Sequence, residues 1–452
     1  MDGSALIIVS CIVIAILILI FLTIKVKLHP FFALTIAAIS FGLMIGENIN
    51  DIMTSYATGL GGTIAGIGIV IAIGTVMGGL LEKSGAAETM AHTILKITGK
   101  KHASLGLAIT GYFVSIPVFC DSAYVLLAPL AKRMARDTRI SMTTMAIALA
   151  MGLHATHMLV PPTPGPLAVA GILGADLGMV IVLGMIVSVP VVLVAHFAGK
   201  ILGEKYKFMP EELEEMVTPE EGHKRPSAMA SFTPILLPII LMLLRTIASL
   251  ESKPFGDGLL YNIFFSLGNT VVALMIGLLI AFVSYMTVRP HDRVVWTFDG
   301  EFGDALKTAG QIVLIVGAGG AFATVLKMSD IQGIVTHYFS NVSLGILVPF
   351  AIGAIFRTAI GSGTVGMITA ASMLLPLVDV LGFNSPIGLV IAMLACASGG
   401  FMVFHGNDDF FWVVTTTSGM KPEIAYRVFP IISVLQALTS LACVYILWLI
   451  FL

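Results

Sequence analysis

The sequence predicts an all-α polytopic membrane protein, with about ten transmembrane helices, two re-entrant hairpins in an inverted-topology repeat, and two broken helices. Three observations point there. The 452 residues are 57% hydrophobic and 11% charged, with a mean hydropathy of +1.01, whereas a soluble domain is about 25% charged. Apolar runs of roughly 20 residues, the length that crosses a bilayer core, recur from end to end. In the middle of one such run, residues 161–166 read Pro-Pro-Thr-Pro-Gly-Pro. Prolines lack the amide donor and clash with the preceding turn. A break of that kind survives at bilayer depth only where protein covers it or a polar cavity faces it.

Full crossings fit residues 4–24, 29–46, 60–82, 142–173, 177–199, 232–250, 258–288, 305–327, 386–419 and 428–451. Short alternating segments of the β-barrel type are absent. The start, Met1-Asp2-Gly3-Ser4, has neither a basic region nor a small-residue cleavage pattern, so residues 4–24 read as a retained span rather than a signal peptide. Two apolar segments, 103–131 and 344–377, are too long for one crossing and too short for two. Each is interrupted in its middle, by Ser115-Ile116-Pro117 and by Gly361-Ser362-Gly363-Thr364, which is the pattern of a hairpin that enters and returns. Residues 86–98 have the pattern of an interfacial amphipathic helix.

All but four of the 24 lysines and arginines (Arg245, Lys253, Lys327 and Arg357) fall in loops that share one side if the N-terminus is outside. The positive-inside rule supports that orientation, with both termini outside, and the expected location is a cell inner membrane. Hairpin 103–131 enters from the cytoplasm, flanked by Lys100-Lys101 and the Lys132–Arg139 cluster, and hairpin 344–377 enters from outside. The chain divides into a first repeat (1–199), an acidic cytoplasmic linker (200–231) and a second repeat (232–452). Each repeat runs three spans, a hairpin, a broken span (142–173 or 386–419) and a last span. Pro161 follows Pro129 by 32 residues, and Asp408 follows Pro376 by the same interval. An odd number of crossings per half inverts the second half, as in many secondary carriers, whose sites lie at the repeat interface.

Composition excludes other classes. A net charge of −2 offers nothing to nucleic acid. The four cysteines, Cys11, Cys120, Cys396 and Cys443, have no metal-ligand spacing, and no motif calls for a cofactor. The candidate chemistry lies at the hairpin tips and breaks. Prolines 161, 162, 164 and 166 deprive the carbonyls of His157, Met158, Val160 and Pro162 of their helical donors. Those carbonyls suit another donor or a cation, and the helix restarting near Leu167 aims a partly positive end into the same gap. Asp408 and Asp409 stand side by side in an apolar stretch, and Asp121 lies just beyond the first tip. Carboxylates at that depth are functional candidates by default. Asp121, His157, Asp408 and Asp409 are therefore the candidates for proton or ion coupling. His154 and His405 are further candidate relays. Arg357 suits a substrate carboxylate, and equally a structural pair with Asp408 or Asp409. Ser115, Asp121, Ser122, Thr163, Gly165, Ser362, Gly363, Thr364 and Asn407 complete the candidate substrate set, although small and hydroxyl residues are also ordinary helix-packing material.

On Ile116-Pro117-Val118-Phe119-Cys120-Asp121-Ser122, Leu159–Pro166, Gly174-Ala175-Asp176-Leu177-Gly178 and Gly406-Asn407-Asp408-Asp409-Phe410, the chain resembles the gluconate permease (GntP) family of the ion-transporter superfamily. The resemblance implies proton-driven uptake of small hydroxylated monocarboxylates such as gluconate, with D-serine for some members. It also implies paired hairpins and elevator-type movement. Many members have a histidine at the third position of the proline element, where this chain has Thr163, and that departure points toward a shorter acid such as glycerate or an altered coupling. Sodium coupling or exchange would use the same architecture, a homodimer is expected by analogy, and a metal-dependent membrane enzyme is the remote alternative.

The orientation has a direct check. A cysteine introduced at Arg133 is expected to be shielded from an impermeant maleimide in intact cells and labelled in inverted vesicles. Labelling in intact cells alone would reverse the topology.

Overall fold

The computed structural model describes residues 3–209, 224–249, 254–256, 258–331, 333–334, 345–406 and 408–452. Among them there are helices and connecting turns but no strand. The first half comprises α1 (Gly3–Ile24), α2 (Pro30–Met44), α3 (Ile49–Lys83), α4 (Ala86–Thr98), α5 (Ala103–Val114), α6 (Cys120–Thr138), α7 (Met142–Leu159), α8 (Pro164–Leu173) and α9 (Leu177–Lys205). The second comprises α10 (Ala228–Ala248), α11 (Leu259–Leu267), α12 (Thr270–Val288), α13 (Glu301–Leu326), α14 (Leu347–Ile360), α15 (Gly363–Leu374), α16 (Pro386–Gly399), α17 (Asp409–Ser418) and α18 (Pro422–Phe451). Eight of the described segments are long and apolar enough to cross a membrane, counting α7–α8 as one.

Local chemistry sets the boundaries. Side chains of Asn48, Asp176 and Ser385 accept from amides in the first turns of α3, α9 and α16, which satisfies donors that have no helical partner. Gly174 and Gly419 close α8 and α17 in the left-handed region, at φ of 76° and 73°, where a Cβ would be strained. Both interrupted segments are hairpins, α5–α6 and α14–α15, and both broken spans are helix pairs, α7–α8 and α16–α17.

Several expected boundaries move. The run 258–288 is two helices rather than one crossing, because Asn269 caps α12 by accepting from the Val271 amide at 3.1 Å. The span expected at 29–46 is only 15 residues long as α2, short of the roughly 20 that cross a bilayer unaided. The span expected at 60–82 starts at Ile49, and the second arm of the first hairpin continues to Thr138. Helix α4 occupies 86–98 as expected, but its apolar face, including Met90, Ile94 and Leu95, is buried, and the helix packs on α5 and α10. The acidic stretch of the linker, 211–221, lies outside the described residues. The end of the linker is held where Arg225 pairs with Glu88 of α4 at 2.9 Å.

Packing is reciprocal between the halves. Helix α2 packs on α13 and α12 on α3, while α5 and α9 flank α7 as α14 and α18 flank α16. Every residue of α7 is buried. The broadest helix contact joins α3 to α13. There Gly59 meets the backbone of α13 so closely that a Cβ would lie 2.6 Å from the Gly320 carbonyl oxygen and 2.8 Å from Ala321 Cα. In lipid such close approach supplies the van der Waals attraction that holds helices together. Gly59→Ala is expected to lower unfolding stability in detergent by about 1–3 kcal/mol through overpacking. Gly61→Ala adds the same carbon where nothing lies within 4 Å, and is expected to leave the melting temperature unchanged or slightly raised. Equal effects of the two would remove this crossing as a stabilising contact.

Candidate substrate site

The two hairpins and two breaks meet crosswise. The returning arm of the first hairpin, α6, packs on α17 of the second half, and the returning arm of the second, α15, packs on α8 of the first. Tyr124 of α6 meets Phe410 of α17 edge-on at 6.0 Å between ring centroids. Gly165 of α8 faces α15, where its missing side chain leaves room for Met367, and a Cβ there would lie 3.8 Å from Thr364 Cα. The role of Gly165 in this arrangement is close packing.

A cavity of about 840 Å³ opens at this junction. Of the residues singled out from the sequence, Asp121, His157, Ser362, Gly363, Thr364, Asp408 and Asp409 lie on its wall, as does His154. Ser115, Ser122, Thr163, Gly165 and Arg357 do not. Asn407 lies outside the described residues. The sequence reading missed a further part of the wall, namely Thr23 at the end of α1, Lys27 and His29 from the loop between α1 and α2, and Cys120 and Phe410. Positive-inside counting marked Lys27 only as a loop cation, and no linear pattern brings that loop to the hairpins. The tertiary contact of α1 with α14 does so.

Arg357, near the end of α14, is 1% exposed. Its Nη2 pairs with Asp408 Oδ2, and its Nη1 donates to the Gly361 carbonyl. Gly361 can present that carbonyl because it sits at φ 89°, a conformation open to glycine. The guanidinium also lies 5.8 Å from the centre of the Phe404 ring. Asp408 caps α17, accepting from the Phe410 amide at 2.8 Å through Oδ1. Both of its oxygens are therefore engaged, and of the two possibilities for Arg357 this conformation adopts the ion pair with Asp408. Asp121 and Asp409 are exposed toward the cavity and make no ion pair among the described residues.

Thr163 faces the backbone. Its Oγ1 lies 2.6 Å from the Val160 carbonyl oxygen and 3.0 Å from that of His157. The hydroxyl thus supplies a donor that the prolines removed. His154 is set by second-half side chains, with Nδ1 3.4 Å from Gln436 Oε1 and the ring edge-on to Phe401 at 5.2 Å. Gln436 Nε2 in turn donates to the Met151 carbonyl at 3.0 Å. The buried Nδ1 of His157 has no partner among the described residues.

Four helices begin on the cavity wall: α2, α6, α15 and α17. Each N-terminus carries about half a positive charge. The first turns of α6 and α17 contain Asp121 and Asp409, whereas those of α2 and α15 have no acidic residue. The starts of α2 and α15 are thus left to attract an external anion, on the same wall as two carboxylates able to hold a proton or cation. Among the described residues no group of three His, Cys, Asp or Glu side chains is placed to hold a metal ion.

Comparisons with known proteins agree with this architecture. The profile of the GntP family permease matches residues 7–450. A gluconate permease of Pseudomonas aeruginosa is 32% identical over 440 residues, covering 95% of each chain. A D-serine transporter, DsdX, of Escherichia coli is 32% identical over 448 residues, covering 97% of this chain and 98% of its own. In fold, the chain is similar to the crystal structure of the Alcanivorax borkumensis YdaH transporter, with a TM-score of 0.66 over 93% of this chain and 97% of that one, at 14% identity. This chain, with its crossed hairpins and broken helices, belongs to the GntP family of membrane permeases.

Proposed function

We propose that this permease is a proton-coupled symporter of the inner membrane that takes up a small hydroxy-monocarboxylate, gluconate or a related sugar acid. The observation that carries this reading is the charge pattern of the cavity wall, where the N-termini of α2 and α15 are free of acidic residues while Asp121 and Asp409 make no ion pair among the described residues. The substrate carboxylate sits at the start of α15, where Ser362 and Thr364 add hydroxyl donors. Asp121 and Asp409 exchange the proton, with His157 beside them. The gluconate and D-serine transporters among its relatives are in keeping with a substrate that joins a carboxylate to hydroxyl groups. Asp408 and Arg357 hold the site together through their ion pair.

In this reading the segments 1–199 and 232–452 are inverted repeats joined by the linker 200–231, and the reciprocal helix packing supports that relation. Both termini face outside, and the carrier is a homodimer. Sodium is the second coupling ion to consider, but Thr163 already serves two of the carbonyls at the first break, which leaves fewer ligands there for a bare cation.

Uptake of labelled gluconate, glycerate and D-serine into proteoliposomes tests the reading under an inward proton gradient, an inward sodium gradient, or neither. Accumulation of gluconate or glycerate driven by protons alone is expected. Accumulation driven by sodium alone would overturn the coupling, and no uptake of either acid would overturn the substrate class. Asp121→Asn is expected to abolish proton-driven accumulation while leaving stability within about 0.5 kcal/mol, as for an exposed group. Asp408→Asn strands the buried Arg357 charge and is expected to lose about 3–5 kcal/mol of stability. A stable, freely accumulating Asp408→Asn protein would remove the ion pair from its structural role.

A further inference from the structure

The loop between α1 and α2 supplies a residue that the hairpins and breaks do not. Among the described residues, Lys27 is the single lysine or arginine on the cavity wall. Arg357, the cation nearest the tips, is buried and committed to Asp408 and Gly361. Lys27 is exposed, makes no ion pair among the described residues, and adopts φ 56° although it is not glycine. That backbone is held from both sides. The amides of Lys25 and Val26 donate to the Phe21 carbonyl at 2.9 and 3.2 Å, and the Leu28 amide donates to that of Leu22 at 2.9 Å. A non-glycine residue persists in this region only where its surroundings over-determine it, and here the result places a lysine on the wall. Lys25, two residues earlier in the same loop, is not on the wall.

The charges on that wall need such a residue. Asp121 and Asp409 line the cavity with no ion pair among the described residues, and when ionised they repel an incoming anion. The starts of α2 and α15 each offer only about half a charge in return. An ammonium on a flexible four-carbon stem is a mobile full charge that can meet a carboxylate without a fixed geometry.

We propose that Lys27 is a substrate-binding residue of this carrier, the counter-ion that admits a monoanionic acid to the cavity and favours it over a zwitterion. The inference rests on the hydroxy-acid reading above. It adds a determinant of affinity and charge selectivity on an element outside both hairpins and both breaks.

The test compares wild type with Lys27→Ala, Lys27→Arg and Lys25→Ala in proteoliposomes, measuring KM and maximal rate for gluconate and for D-serine at low and at high ionic strength. Lys27→Ala is expected to raise KM for gluconate about tenfold, the loss of one charge-assisted contact, with maximal rate within about twofold. The ratio of gluconate to D-serine uptake is expected to fall. The rise in the wild-type gluconate KM with salt, which reflects screening of an exposed charge, is expected to be smaller in this variant. Lys27→Arg keeps the charge and is expected to retain most of the affinity, and Lys25→Ala is expected to match wild type. Thermal unfolding of Lys27→Ala at the wild-type temperature separates lost binding from lost folding. Equal gluconate KM and salt dependence in Lys27→Ala and Lys25→Ala would overturn the assignment. A wild type that transports neither gluconate nor glycerate would instead overturn the hydroxy-acid reading, and this inference with it.

Discussion

The buried pair of Arg357 and Asp408 is the interaction on which the geometry of the candidate site depends. Arg357 stands near the end of the entering arm of the second hairpin, and Asp408 stands at the start of the restarted helix α17. Their contact therefore fixes the hairpin tip against the break. Each partner also performs a backbone task, Arg357 by donating to the Gly361 carbonyl at the tip and Asp408 by capping α17. A charge at that depth is tolerable only when paired and hydrogen-bonded, so the tip, the cap and the cavity wall form together. With Asp408 engaged, the carboxylates left facing the cavity are Asp121 and Asp409.

Around this contact the molecule separates support from site. Helices α3 and α13 meet at glycines and present no chemistry to the cavity, while α2, α6, α15 and α17 present their N-termini to it. Interrupting a helix in a membrane exposes backbone groups that lipid cannot satisfy. The chain answers this with side chains chosen at each break: the Thr163 hydroxyl on the Val160 and His157 carbonyls, Ser362 on the Val365 amide and Asp408 on the Phe410 amide. The interruptions that build the cavity are thus stabilised locally by hydroxyl and carboxylate side chains. Crosswise packing of each hairpin on the break of the opposite half makes the site a property of both halves together.

Much of this was legible in the linear chain. The proline run at 161–166 and the glycine-serine interruption at 361–364 are local chemical facts, and local chemistry ends helices wherever it occurs. They marked the first break and the second tip, as Ser115-Ile116-Pro117 marked the first tip and the adjacent Asp408 and Asp409 the second break. The Asn269 cap within 258–288 was equally local, but a continuous apolar run concealed it. Side-chain direction was not legible. Thr163 looked like a substrate reader because it sits at the break, yet it turns to the backbone. Arg357 was readable as either a substrate clamp or a structural pair, since both need only a cation near a carboxylate.

The sequence by itself determined that this is a many-span helical membrane protein with two hairpins and two broken helices, because span length, proline and glycine act over a few residues. The tertiary structure decided which carboxylate is ion-paired, and brought Lys27 and His29 from the first loop onto a cavity formed by elements remote in the chain. Those outcomes depend on distances between elements remote in the chain, and no periodicity or spacing along a sequence encodes such distances.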